Sequence, residues 1–150
     1  MIRQIRKDEA IPYDLLLLAD ETVEAIDTYI HQSDIYLLDR NNAIIAVCAL
    51  QTIDADTTEI RNIAVDTAFQ GQGIGQEMLK EVIHLAKEKG FKRMLIGTGD
   101  AGIKQLYIYQ KVGFEMFEIK NRYFLDHYPE PIFENGIQLK HMVVLKKDLC

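Results

Sequence analysis

Apolar positions recur along the chain with two different periods. Ile74, Met78, Leu79, Val82, Ile83 and Ala86 are three or four apart, with Glu77, Lys80, Glu81, Lys87 and Glu88 between them. This is the stripe of an amphipathic helix, predicted over 74–89, and Gly90 supplies its C-terminal stop. Residues 43–52 are almost continuously apolar, the pattern of a central strand covered on both faces. Strands are also expected at 2–6, 35–39, 57–65, 91–98, 114–124 and 139–146, with turn residues Asn41 and Asn42 and the acidic turn 54–56 between the early ones. Pro12 suits the first turn of a helix over 13–19. Asp20 is the expected N-cap of a second helix carrying Val23, Ile26 and Ile30 on one face. A further helix is expected over 103–111, ended by Gly113, and a long loop holds Tyr128-Pro129-Glu130-Pro131.

The resulting order is β-α-α-β-β-β-α-β-α-β-β. Tight turns make the early strands antiparallel, and the crossover through the 74–89 helix makes 57–65 and 91–98 parallel. The expected fold class is therefore α/β with a mixed, twisted sheet of six to seven strands flanked by about four helices. A length of 150 residues suits one domain over 1–150.

Composition removes several function classes. The longest apolar run falls far short of the roughly 20 residues of a membrane span, and residues 1–11 lack the apolar core of a signal peptide. With 17 Lys and Arg against 23 Asp and Glu, the net charge of -6 disfavours broad nucleic-acid binding. Cys48 and Cys150 alone build neither a disulfide framework nor a cysteine-rich metal site, so no metal is expected. The chain reads as cytoplasmic, without a membrane partner. Exposed edges at the final strands and the proline-containing loop admit a homodimer.

The informative stretch is Ile63-Ala-Val-Asp-Thr-Ala-Phe-Gln-Gly-Gln-Gly-Ile-Gly-Gln76, a strand that runs through a glycine-rich turn into the strongest helix. The first amides of a helix have no intrahelical acceptor and carry partial positive charge. Gly71, Gly73 and Gly75 clear side chains from that end, so the backbone of Gly71, Gln72, Gly73, Ile74, Gly75 and Gln76 can surround a phosphate, with the Gln70 side chain adding a hydrogen bond. A Walker loop is excluded because no Gly-Lys-Ser/Thr triplet occurs. The dinucleotide fingerprint fails at its third glycine, which is Gln76, and at its topology.

Gln70-Gly-Gln-Gly-Ile-Gly75 resembles the Gln/Arg-x-x-Gly-x-Gly/Ala motif of the GNAT superfamily of acetyl-CoA-dependent N-acetyltransferases. Glu59-Ile-Arg-Asn-Ile-Ala-Val65 before it and Leu106-Tyr-Ile-Tyr-Gln-Lys-Val-Gly-Phe114 after it resemble the neighbouring blocks of that family, in the same order. The likeness covers roughly residues 35–144. It implies a GNAT-like sheet with acetyl-CoA as cosubstrate and an amine of a small molecule or peptide as acceptor. The backbone of Ile63, Ala64 and Val65 would pair with the pantetheine arm where their strand splays from 91–98, and an amide near Val65 would face the thioester oxygen. Attack by the amine would be direct, with no cysteine intermediate.

Tyr109 aligns with the tyrosine that protonates the departing thiolate in many members; the alternative is a core aromatic with a satisfied hydroxyl. Glu59 stands where some members carry a general base, the alternatives being a pair with Arg61 or a water chain in its place. Strand alternation would put Glu59, Arg61, Ile63 and Val65 on one face unless a bulge intervenes. Asp20, Glu21 and Asp100 are further candidates for meeting a cationic amine, and His127 and His141 for a base by their chemistry alone. The likeness departs at Gly102 and Gln105, where many members have Asn and Ala, and Asp100 is expected to cap that helix instead. Two rival functions remain open: a non-catalytic acyl-CoA-binding domain, and a protein-modifying acetyltransferase.

Overall fold

A computed structural model describes residues 2–150. In chain order the elements are β1 (Ile2–Gln4), α1 (Tyr13–Leu16), α2 (Val23–Asp27), β2 (Ser33–Arg40), β3 (Ala43–Thr52), β4 (Thr57–Val65), α3 (Ile74–Glu88), β5 (Arg93–Gly99), α4 (Ile103–Val112), β6 (Glu115–Lys120), α5 (Tyr123–His127), β7 (Phe133–Glu134), β8 (Ile137–Gln138) and β9 (Met142–Asp148). Seven strands form one sheet in the order β1-β2-β3-β4-β5-β9-β6, and β7 and β8 pair as a separate hairpin. All neighbours in the large sheet are antiparallel except β4 and β5, the pair joined by α3. The mixed sheet follows the expected class, with five α-helices in place of about four.

The sheet buries both faces. On one, Ile74, Met78, Leu79, Val82, Ile83 and Ala86 of α3 pack with Tyr109 and Phe114 over Cys48, Leu50, Ile60 and Ile96. On the other, Leu15, Leu16, Ile26, Tyr29 and Ile30 cover Leu37, Val47, Ala49 and Ala64. The apolar run of β3 is explained by this double burial: Ala46 and Cys48 serve the first core, Val47 and Ala49 the second.

Three expectations are corrected. The N-cap of α2 is Thr22, whose hydroxyl accepts from the Ala25 amide at 3.1 Å; Asp20 is used elsewhere. The strand expected over 114–124 stops at Lys120, because Arg122 takes a left-handed conformation and its amide donates to His141 Nδ1 at 2.9 Å, after which α5 begins. The last strand starts at Met142, since the amide of Leu139 goes to the Ile132 carbonyl and those of Lys140 and His141 go to the Asp100 carboxylate. Competing hydrogen-bond partners set each boundary, local at α2 and distant in sequence at the two strands.

Two registers position the site. Residues Thr57 to Ile60 of β4 pair with Arg93 to Ile96 of β5, and the pairing ends there. β5 continues alongside β9 through Gly99, and β4 continues alongside β3 through Val65. The two halves of the sheet therefore diverge, as expected from the family likeness. In β4 the register against β3 skips Arg61: Leu50 opposes Ile60 and Ala49 opposes Asn62. This bulge breaks strand alternation, so Ile60 and Ile63 both pack toward α3 while Asn62 and Ala64 turn to the α1–α2 face. Glu59 consequently does not share a face with Ile63 and Val65, contrary to simple alternation.

The edge strand β1 is held by Arg3, whose guanidinium donates to both oxygens of Glu9 at 2.8 Å and also to Asp39. These bonds, with the Arg6 amide, lower the Glu9 carboxyl from 4.5 to about 2. A depressed acid stabilises the fold above its unfolded value and loses that contribution as pH falls through its folded value. Glu9→Gln is thus expected to lower the urea midpoint at pH 6 relative to wild type, with the difference shrinking below pH 4.5 and gone near pH 2.

Candidate active site

The divergence of β4 from β5 opens a cleft of about 450 Å³ that passes from the α3–α4 side of the sheet to the α1–α2 side. Past Ile60, the edge of β4 that faced β5 has no strand partner, so its main-chain groups are available to a ligand. Ile63, Ala64 and Val65 line this stretch, with Gly97 and Thr98 of β5 across from them.

At one end of the cleft stands the start of α3. Its cap residue Gly73 offers no side-chain bond, and the first bond into the helix is from Glu77 N to Gly73 O at 3.0 Å. The amides of Ile74, Gly75 and Gln76 precede it and are the unpaired donors of a helix start. Gly71 and Gly73 both sit at φ +79°, a conformation that disfavours any side chain, and a Cβ at either would meet no atom within 4 Å. The turn is therefore glycine-rich for its backbone conformation, and open space lies above it. Gln70 ties the turn to the sheet by donating from Nε2 to the Val65 carbonyl at 3.0 Å, rather than leaving its amide group free. Gln70, Gly75 and Gln76 line the cleft; Gly71, Gln72, Gly73 and Ile74 belong to the turn but not to the lining.

Tyr109 of α4 also lines the cleft and is only 9% exposed. Burial, with smaller effects from Cys48 and Glu134, pushes its hydroxyl well above the usual tyrosine range, so it remains a proton donor at any physiological pH. Tyr107, on the same helix, is exposed. Cys48 is fully buried in β3, and desolvation alone holds its thiol neutral. It does not line the cleft, and Cys150 is exposed.

The other end of the cleft holds a polar network that sequence reasoning missed apart from Asp20. Tyr29 donates to Asp20 Oδ2 at 3.0 Å, and Tyr128 donates to Asp20 Oδ1 at 2.6 Å. Asn62 Nδ2 donates to the Leu16 carbonyl at 3.0 Å and to the Tyr29 hydroxyl at 3.1 Å. Arg61 lies over the Tyr29 ring, 4.7 Å from its centroid, and donates to Gln51 Oε1 at 2.6 Å. Burial raises the hydroxyls of Tyr29 and Tyr128, so both remain donors to Asp20. Tyr123 and Phe124 of α5 complete the wall, with Phe124 stacked on Tyr128 at 5.9 Å.

Glu59 and Glu21 line the same chamber, but Asp100, His127 and His141 do not line the cleft. Asp100 does not cap α4, which has no side-chain cap; its two oxygens accept from the Lys140 and His141 amides. His127 stacks on Tyr123, and His141 accepts from the Arg122 amide. The missed residues did leave one trace in the sequence. Arg61 and Asn62 are adjacent polar residues between Ile60 and the apolar end of β4, Ile63, Ala64 and Val65, a placement that is unusual without a partner or a site.

This geometry agrees with the known proteins the chain resembles. A sequence model of the Acetyltransferase (GNAT) family matches residues 2–114. The chain is 42% identical over 137 residues to the uncharacterized N-acetyltransferase YvbK of Bacillus subtilis, covering 91% of this chain and 88% of that one. It is similar to a GNAT family acetyltransferase from Elizabethkingia anophelis with acetyl-CoA bound, at 48% identity and a TM-score of 0.96, covering 99% of this chain and 97% of that one. A Bacillus subtilis acetyltransferase in complex with CoA gives 39% identity and a TM-score of 0.92, covering 99% and 98%. The proteins that match along nearly the whole chain are acetyltransferases, which makes this chain an acyltransferase. The chain belongs to the GNAT family of acetyltransferases.

Asp20 joins the first helices to the late loop through Tyr128, more than a hundred residues away. Tyr128→Phe removes that tether. Amide hydrogen exchange over residues 129–138 is expected to speed up by about tenfold, the scale of one bond to a charged acceptor; unchanged protection would show that the tether is not what orders the loop.

Proposed function

We propose that the protein transfers the acetyl group of acetyl-CoA to a primary amine by direct attack through a tetrahedral intermediate. The observation that carries this reading is the unpaired β4 edge lying between the capless start of α3 and Tyr109. The diphosphate would rest on the amides of the 71–76 turn, where uncharged donors meet an anion. The pantetheine arm would replace the missing strand against Ile63, Ala64 and Val65. Both groups fit what the chain offers: open space above two glycines, and main-chain groups without a strand partner.

In the reaction the neutral amine nitrogen bonds to the thioester carbon, and the carbonyl electron pair moves onto oxygen. An amide near Val65 would stabilise that oxyanion. Collapse of the intermediate re-forms the carbonyl and breaks the C–S bond, and the departing sulfur takes the proton of the Tyr109 hydroxyl. Burial makes Tyr109 a reluctant acid, but a thiolate in the same dry cleft is raised in basicity too. The proton of the attacking amine passes to Glu59 or to water leading from it, and returns to Tyr109 through solvent after release of CoA. The bulge at Arg61 favours Glu59 for this task, because it turns Glu59 toward the chamber that contains Asp20.

The retained Tyr109 argues against a non-catalytic binding domain. The late loop tied to Asp20 argues for a compact acceptor rather than a protein surface. Tyr109→Phe is expected to lower kcat about 100-fold with acetyl-CoA affinity nearly unchanged, the usual range for loss of a general acid; undiminished turnover would remove Tyr109 from this role. Gly73→Asp is expected to abolish calorimetric binding of acetyl-CoA while the folded protein persists by circular dichroism. Retained affinity would mean that the anion binds elsewhere.

A further inference from the structure

The chamber on the α1–α2 side contains two charges that the acetyl transfer does not use. Arg61 is half-buried, and Gln51 and the face of Tyr29 fix its guanidinium in place. Among the described residues it forms no ion pair. The same is true of Asp20, whose oxygens take two tyrosine hydroxyls and the Glu21 amide but no cation. A half-buried charge left unpaired is costly in a folded chain, and its persistence points to a counter-charge that arrives with a ligand.

One ring sets the spacing of these two charges. The guanidinium lies over the face of Tyr29, and Asp20 lies on the hydroxyl of the same ring. A third observation marks the same place. Asn62 is 4% exposed and lines the cleft, and its Nδ2 is committed to Leu16 and Tyr29, which fixes the orientation of the amide. Its Oδ1 has no donor among the described residues. A buried acceptor of this kind calls for an N–H or a water.

We propose that the acceptor is a zwitterion of the amino-acid class, with its carboxylate on the Arg61 guanidinium and its amino group toward Asp20 and Asn62. The inference rests on the acetyl-transfer reading and specifies its acceptor. A guanidinium suits a carboxylate because its parallel N–H groups match the two oxygens, whereas the other cations lining the cleft, Lys104 and Lys120, are exposed point charges. Four carbon-rich rings, those of Tyr29, Tyr123, Phe124 and Tyr128, border the chamber, so apolar side chains are accommodated better than charged ones. Amines lacking the carboxylate, and peptides whose carboxylate lies far from the amine, leave Arg61 unpaired and bind less well.

The test uses phenylalanine, leucine and methionine, each beside its carboxamide and its decarboxylated amine. Binding is read by calorimetry on the protein saturated with CoA, and turnover by thiol release from acetyl-CoA. The amino acids are expected to exceed both analogues by about tenfold or more in affinity and in kcat/KM, the usual consequence of one charge-assisted bond. Arg61→Gln should bring the ratio of amino acid to carboxamide close to one, and Arg61→Lys should restore part of it. A merely structural Arg61 would lower both acceptors together and leave the ratio standing, which would overturn the proposal. Equal response to all three compounds in the wild type, or no heat from any of them, would also overturn it. Failure of the acetyl-transfer reading shows separately, as absence of heat from CoA itself; the same amino-acid and carboxamide titrations on the free protein then still decide the carboxylate preference.

Discussion

Main-chain hydrogen bonding between β4 and β5 is interrupted after four residue pairs, and the site depends on that interruption. β5 cannot follow β4, because β9 holds it along its whole length; β4 cannot follow β5, because β3 holds it to Val65. The sheet therefore parts along one seam, and the cost is a row of amides and carbonyls without a strand partner, of which the Val65 carbonyl is met by the Gln70 side chain. Such groups are tolerated only where water or a ligand reaches them. The seam is thus the one place inside the sheet, as opposed to its outer edges at β1 and β6, where backbone among the described residues is open to a new strand-like contact. Helix α3 is pressed against one core by six buried side chains, and its first turn abuts the end of β4: a Cβ at Gly75 would lie 3.7 Å from Val65. The unpaired amides of the helix start and the unpaired edge of β4 are in this way held side by side by packing.

The two ends of the cleft differ in chemistry for reasons of burial. Around Tyr109 the surroundings are apolar, which preserves a neutral hydroxyl and a neutral Cys48 thiol. Around Asp20 the surroundings are hydroxyls, an amide and a guanidinium, joined by hydrogen bonds that leave Asn62 Oδ1 as the one fully buried side-chain polar atom without a partner among the described residues. A network of this kind is stable only when nearly complete. It ties α1, the segment after α2, β4 and the late loop together around one carboxylate, so this end of the cleft is assembled from segments with no common sequence motif.

Local physics made much of this legible in advance. The period of α3, the double-sided apolar run of β3 and the glycine turn were readable because each depends on residues close in sequence. Gly71 and Gly73 adopt the left-handed backbone that their spacing implied. The family likeness correctly anticipated the splayed strands, but the phase of β4 was not legible, since a bulge depends on the register of its neighbour. Asp20 as an N-cap and Asp100 as a cap were reasonable by residue type. Each was instead recruited by groups beyond its own turn: the hydroxyls of nearby Tyr29 and distant Tyr128 in one case, the amides of Lys140 and His141 in the other.

The amino-acid sequence alone therefore settled α3 and α4, the central strands, the parallel pair and the glycine-rich turn before α3, because periodicity and backbone freedom act over a few residues. Where β6 and β9 begin and end, which way Glu59 faces, and how Arg61, Asp20, Tyr29 and Tyr128 come together were decided only in the folded molecule. Those outcomes hinge on competition between partners that meet only after the chain has closed over both faces of its sheet.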